Sequence, residues 1–234
     1  LFLLVPLSTA LAEDNSSPGV LPPNSHPFGH TYGEWSARWW QWAYSLPVDN
    51  HPIIDPTGEK CGTAQTGPVW FLGGSFAGGT INRTGCVIPA GKALFFPILN
   101  LECDNFPPQP VMSVSKLQAQ CAFYMNTVMR VSAEIDGVSV KGLNLPPNPY
   151  SSPYRVFSPV FAVQLPDNNV PQQIFGYNTP KGSYSPLVGD GIYLMLRPLS
   201  VGKHTIHFHA GIPLFGGDQD VTYTLMVKPQ GHFD

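Results

Sequence analysis

Charge is scarce in this sequence: 12% of residues are Asp, Glu, Lys or Arg, and the formal net charge is −3. There is no basic stripe of the kind that neutralises phosphates, which argues against nucleic acid as a partner. No apolar run reaches the ~20 residues that a membrane-spanning helix needs. A Gly-rich phosphate loop, an internal repeat and the Gly-x-Ser-x-Gly elbow of serine hydrolases are all missing. Cysteine is limited to four residues, and no CxxC spacing favours a zinc site.

What is abundant is punctuation and apolar mass. The chain holds 26 Pro and 23 Gly, yet it is 43% hydrophobic and 12% aromatic. A disordered segment lacks that much core-forming material, so the pattern fits many turns between short strands. Residues 1–12, LFLLVPLSTALA, read as the apolar and cleavage regions of a secretory signal peptide, ending in Ala10-Leu11-Ala12 before the acidic Glu13-Asp14. The expected mature chain begins near Glu13 and is secreted or associated with the cell envelope. Residues 13–30, rich in Pro and Ser, form an expected arm, and residues 31–234 a single domain.

In an exported chain four cysteines imply two disulfides. Cys61 with Cys86 and Cys103 with Cys121 is the expected pairing. Each closes a loop of about 20 residues, worth roughly 3 kcal/mol in the chain-entropy account. With all four sulfurs oxidised, no thiolate is left to act as a nucleophile.

The strongest helix signal is YGEWSARWWQWAYSLP. Thr31 and Glu34 have the spacing of a capping box, and Pro47 stops the helix near Leu46. Trp35, Trp39, Trp42 and Leu46 recur at helical intervals and read as a core stripe. Trp40 and Tyr44 lie off that stripe, either as a second buried face or as a stacking surface for a ligand. A second helix is expected after Ser113, with Leu117, Cys121, Tyr124 and Val128 on one face.

Elsewhere the pattern is that of strands. GPVWFLGG and CVIPAGKALFFPILN read as buried strands, and Pro97 requires an edge or a bulge. RVSAEIDGVSV predicts a hairpin turning at Asp136-Gly137, and FSPVFAVQLP, GIYLMLRPL, GKHTIHFHAG and DVTYTLMV give four further strands. The expected fold is mainly β: an antiparallel sandwich or jelly roll carrying one Trp-rich helix and one other.

In HTIHFHAG the period of two puts Ile206 and Phe208 on the core face, matched by Val221, Tyr223, Leu225 and Val227 on the next strand. His207 and His209 then share the outer face. Such a pair suits zinc or copper if a third ligand converges, and a polar solvent face if none does. HFHAG resembles the HFHWG segment of alpha-type carbonic anhydrases, a likeness confined to those residues.

Glu34, Glu102 and Asp104 are the carboxylates in reach of an acid/base role, Glu34 also serving as the helix cap and the other two as a solvated loop. Asp218 and Asp220 beside Gly216-Gly217 have the residue types of a calcium turn. Asn15 and Asn82 head glycosylation sequons.

YGEWSARWWQW, GPVWFLGG, CVIPAGKALFFPILN and the terminal GKHTIHF with DVTYTL together resemble a group of exported archaeal and bacterial proteins with no established activity. The resemblance implies export and one common domain. It transfers no site residue.

The leading expectation is a non-catalytic protein of the cell exterior that binds carbohydrate or another surface polymer through Trp40, Tyr44 and Trp70, without a cofactor. The competing expectations are a secreted enzyme, using a metal on His207 and His209 or the carboxylates, and a structural subunit that assembles through its N-terminal arm.

Overall fold

A computed structural model describes residues 18–143, 151–212 and 217–231. The signal segment 1–12 and the Asn15 sequon lie outside the described residues. Eleven strands and three α-helices are assigned among them. The fold is mainly β, with two sheets packed together.

The first sheet has the order β1-β4-β9-β7, with β8 also pairing β9. Its strands are β1 (Val69–Phe71), β4 (Ala93–Cys103), β7 (Arg155–Phe157), β8 (Phe161–Leu165) and β9 (Gly182–Leu196). The second has the order β2-β11-β10-β5-β6, with β3 also on β11. It comprises β2 (Gly79–Arg83), β3 (Val87–Pro89), β5 (Arg130–Ile135), β6 (Val138–Ser139), β10 (Gly202–Ile212) and β11 (Gly217–Lys228). Most pairs are antiparallel, but β1 lies parallel to β4, and β2 and β3 lie parallel to β11. The sheets are therefore mixed, where period-two alternation had pointed to a purely antiparallel sandwich.

The continuous apolar run of β4 has a direct cause, because the strand is covered on both faces. Phe95 faces the helix layer, with its ring 5.8 Å from that of Tyr32 and stacked on Tyr193 at 5.2 Å. The next residue, Phe96, points into the second sheet and meets Phe208 at 5.4 Å. Ala93 to Ile98 are all buried. Pro97 sits where the β4–β9 register shifts, between Pro97 and Leu99, so the strand accommodates it with a bulge.

Helix α1 (Tyr32–Tyr44) covers the free face of the first sheet. Its capping box forms as the spacing predicts: Glu34 N donates to Thr31 Oγ1 at 3.1 Å, and Thr31 N donates to Glu34 Oε2 at 2.7 Å. Trp35, Trp39, Trp42 and Leu46 are buried, and so are Trp40 and Tyr44. Three indole N–H groups donate to loop carbonyls: Trp35 to Pro27, Trp39 to Leu72 and Trp42 to Thr63. The arm is tied to its own chain from Gly19 onward, with Leu21 N donating to Met195 O and Arg197 N to Gly19 O.

Helix α2 (Val114–Met125) is capped by Ser113 and packs over the Cys103 end of β4 and β9. Both expected disulfides are present, Cys61–Cys86 and Cys103–Cys121. The latter joins α2 to β4. α3 (Val170–Gln173) is a single turn capped by Asn169. The hairpin from β5 to β6 turns at Asp136-Gly137 with φ of 50° and 78°, the left-handed pair that this dipeptide tolerates.

One buried charge joins the loops to the second sheet. Arg83, the last residue of β2, is fully buried. Its Nε donates to Asp55 O, Nη2 to Ile53 O, and Nη1 to Gly73 O, Gly74 O and the Tyr223 hydroxyl. The planar fork matches acceptors on two loops and a strand at once, a set that an ammonium cannot span. Arg83→Met removes the donor from Asp55 O, Ile53 O and Gly74 O, at about 1–3 kcal/mol each where no water replaces it, while Gly73 O keeps the Tyr223 hydroxyl. A loss of about 3–5 kcal/mol is expected for Arg83→Met, with Arg83→Lys recovering less than half, read as a lower urea midpoint at unchanged slope. A change under ~1 kcal/mol would show that the fork holds nothing together.

Candidate functional site

β4 loses its double cover after Ile98, and from Leu99 to Glu102 its residues are only half-buried. A cavity of about 410 Å³ opens there, within the range of small-molecule sites. Its deep side is formed by Trp39, Trp40 and Tyr44 of α1 together with Ile53, all buried, while Ala77, Phe175 and Gly217 at its mouth are exposed.

Two chains of rings make the walls. On one side Trp39, Trp40 and Tyr44 follow one another at centroid distances of 5.0 and 5.2 Å, and Tyr44 meets Phe106 at 5.9 Å. On the other, His51 meets Phe76 at 5.5 Å, Phe76 meets Phe175 at 5.7 Å, and Phe175 meets Tyr177 at 6.1 Å. The second wall rides on the loop after β1, which Arg83 holds from below. Gln219 of β11 holds it from the side by accepting from Ser75 N at 2.9 Å and donating to Ile98 O. A Cβ on Gly74 would push the Gln219 amide out of these hydrogen bonds.

His51 is fully buried behind Phe76. Its Nδ1 accepts from Ile53 N at 3.2 Å, so Nε2 carries the proton and donates to Ala43 O at 2.8 Å. Burial pushes its pKa down to about 4, opposed by the Ala43 carbonyl and assisted by the Arg83 charge. The ring is a neutral structural group at physiological pH.

Two carboxyls, Glu102 and Asp104, line the same cavity. The Tyr44 hydroxyl donates to Glu102 Oε1 at 2.5 Å, whereas Oε2 is shut off from solvent and has only the side chain of Asp104 as a partner. Burial raises the Glu102 carboxyl well above the usual range, and the neighbouring Asp104 charge raises it further, against the lowering effect of the Tyr44 hydroxyl. Asp104 is also raised by burial, less so because Phe106 N donates to its Oδ1. Burial and the Glu102 charge raise the Tyr44 hydroxyl too, which keeps it a neutral donor. The pair therefore binds its last proton more tightly than ordinary carboxyls do.

The structure brings Trp40, Tyr44, Glu102 and Asp104 into one place. Glu34 lies outside, committed to the α1 cap. Trp70 is buried in β1 away from the cavity. His207 and His209 do share the outer face of the second sheet, each held by an acid of β11: His207 Nε2 lies 2.6 Å from Asp220 Oδ1 and His209 Nε2 lies 3.2 Å from Asp218 Oδ2. Among the described residues no group of three or more His, Cys, Asp or Glu stands ready for a metal ion. Asn82 is exposed on the edge strand β2. Phe76, Phe175, Tyr177 and Gln219 escaped the sequence reading because they come from loops and a strand end with no periodic signal.

No family model matches the chain, and no curated protein matches it. Among solved structures it is similar to a cysteine protease inhibitor from Entamoeba histolytica, at 12% identity, covering 68% of this chain and 96% of that one, with a TM-score of 0.24. Similarity at that level supports no statement about fold or activity.

The raised carboxyl has a signed consequence for stability. Between the unfolded value near 4.5 and the raised folded value, the native state binds more protons than the unfolded chain. Stability therefore falls as pH rises through that window. Glu102→Gln mimics the protonated acid, offering one oxygen to Tyr44 and an amide N–H toward Asp104. At pH 8 the variant is expected to gain at least ~1 kcal/mol, about 2–4 °C in Tm for a chain of this size, and to show a smaller decline in stability between pH 5 and pH 8. Parallel pH profiles for variant and wild type would count against the assignment.

Proposed function

We propose that this protein is an exported, non-catalytic binding protein that takes a carbohydrate portion of a surface or extracellular polymer into the aromatic cavity. The supporting observation is the coincidence, in one cavity, of two sets of rings with two carboxyls that have no cation beside them. Sugar C–H faces pack on rings, and sugar hydroxyls hydrogen-bond to carboxyl groups. Export is supported by the two disulfides, which form and persist in oxidising compartments, and by the signal-like residues 1–12. No described helix is long and apolar enough to cross a membrane.

A hydrolase reading has one specific observation in its favour, the proton-holding Glu102 beside a second carboxyl in the cavity. Acid catalysis uses a carboxyl raised in this manner. The same experiment separates the two readings.

Calorimetric titration of the whole protein with soluble oligosaccharides from cell-wall and extracellular polysaccharides is expected to give at least one saturable partner. Phe175→Ala, at the mouth, and Tyr44→Phe, which deletes only the hydroxyl, are each expected to weaken it by about tenfold, ~1.4 kcal/mol, with both variants folded. Intact oligosaccharide after prolonged incubation supports binding alone. Cleavage abolished by Glu102→Gln makes the protein a hydrolase, and absence of any heat with every oligosaccharide removes both readings.

A further inference from the structure

The two carboxyls of the cavity differ from the other buried acids of this protein. Asp190 is fully buried and paired with Arg155, whose Nη2 and Nε both reach its carboxylate. Asp55 is buried and saturated by the N–H groups of Thr57 and Lys60 and the Thr57 hydroxyl. Glu102 and Asp104 have no such match: among the described residues that line the cavity there is no Lys, Arg or His. Glu102 receives one hydroxyl on Oε1 and Asp104 one backbone N–H on Oδ1, and beyond these the two carboxyls have only each other. Around them stand Trp40, Tyr44 and Tyr177, and ring faces carry partial negative charge.

A neutral hydroxyl ligand leaves the two acids sharing a site without a cation. A compact ammonium supplies several donors, neutralises the charge of the pair, and is attracted to the ring faces once water is excluded. We propose that the sugar recognised in this cavity bears an unacylated primary amine, bound as an ammonium against Glu102 and Asp104 and beside the Trp40 and Tyr44 rings. This rests on the carbohydrate reading above and narrows it to amino sugars whose nitrogen is free. Acetylation would remove both the charge and two of the donors.

The test uses the whole protein and three probes: a tetramer of β-1,4-linked glucosamine, the same tetramer fully N-acetylated, and propylamine. The glucosamine tetramer is expected to bind about thirtyfold more tightly than its acetylated counterpart, the factor that ~2 kcal/mol supplies. Ammonium binding displaces the proton that the carboxyl pair retains, so Glu102→Gln, which cannot ionise, should reduce that ratio to within about threefold. Glu134→Gln, which removes one exposed acid from the outer face of the second sheet, controls for general attraction of a cationic oligomer and should leave the ratio intact.

Equal or tighter binding of the acetylated tetramer overturns the amine inference and leaves the carbohydrate reading standing. Binding of propylamine with neither tetramer overturns the amino-sugar inference, and other oligosaccharides then decide the broader reading. A preference for glucosamine that falls equally in Glu134→Gln and Glu102→Gln assigns the effect to net charge and overturns the site. Failure of all three probes to bind overturns the inference, and other neutral oligosaccharides then decide the broader reading.

Discussion

Everything near the cavity depends on how β4 is covered. For six residues, Ala93 to Ile98, the strand has α1 on one face and the second sheet on the other, and every side chain there is buried. Burying a large apolar side chain contributes about 1.5–3 kcal/mol, so this stretch anchors three layers at once. When the cover ends, the strand continues toward Cys103, where α2 and a disulfide take hold again. The segment Leu99 to Glu102 bridges these two anchored ends. It is held in place without being fully packed, which is how Glu102 comes to face an enclosed space.

The opposite wall of that space is built by different means. The loops around Ile53 and Gly73 bury Ile53 and Leu72 in the core, and polar side chains organise their backbone from beneath. Arg83 gathers their carbonyls, His51 joins Ala43 to Ile53, and Gln219 spans from Ser75 to Ile98. Buried polar networks of this kind contribute geometry as well as energy, provided that each member is satisfied. Here they are satisfied, and the rings of Phe76 and Phe175 are held opposite Trp40 and Tyr44. Less well matched are the indole N–H groups of Trp40 and Trp70 and Oε2 of Glu102.

Much of this architecture was legible in the sequence because its signals are local. The Thr31–Glu34 box, the Asp136-Gly137 turn, the outward His207 and His209, and the two short-loop disulfides each follow from spacing within a few residues or from a loop of about 20. The parallel partners β2 and β3 were not legible, since short strands paired far along the chain leave no period behind. Arg83 read as one polar residue inside a sequon and proved to be fully buried. Glu102 and Asp104 read as one solvated pair beside a cysteine. Their burial is a property of Tyr44, Tyr177 and the loop after β1, none of which lies near them in the chain.

The central claim is that Glu102 binds its proton more tightly than an ordinary carboxyl because the cavity neither solvates its charge nor pairs it with a cation. Difference infrared spectroscopy between wild type and Glu102→Gln at pH 7 tests this most directly. The account predicts a protonated carboxylic C=O band present in the wild type and absent in the variant. A carboxylate signature in its place, titrating near the ordinary value of about 4.5, would contradict it.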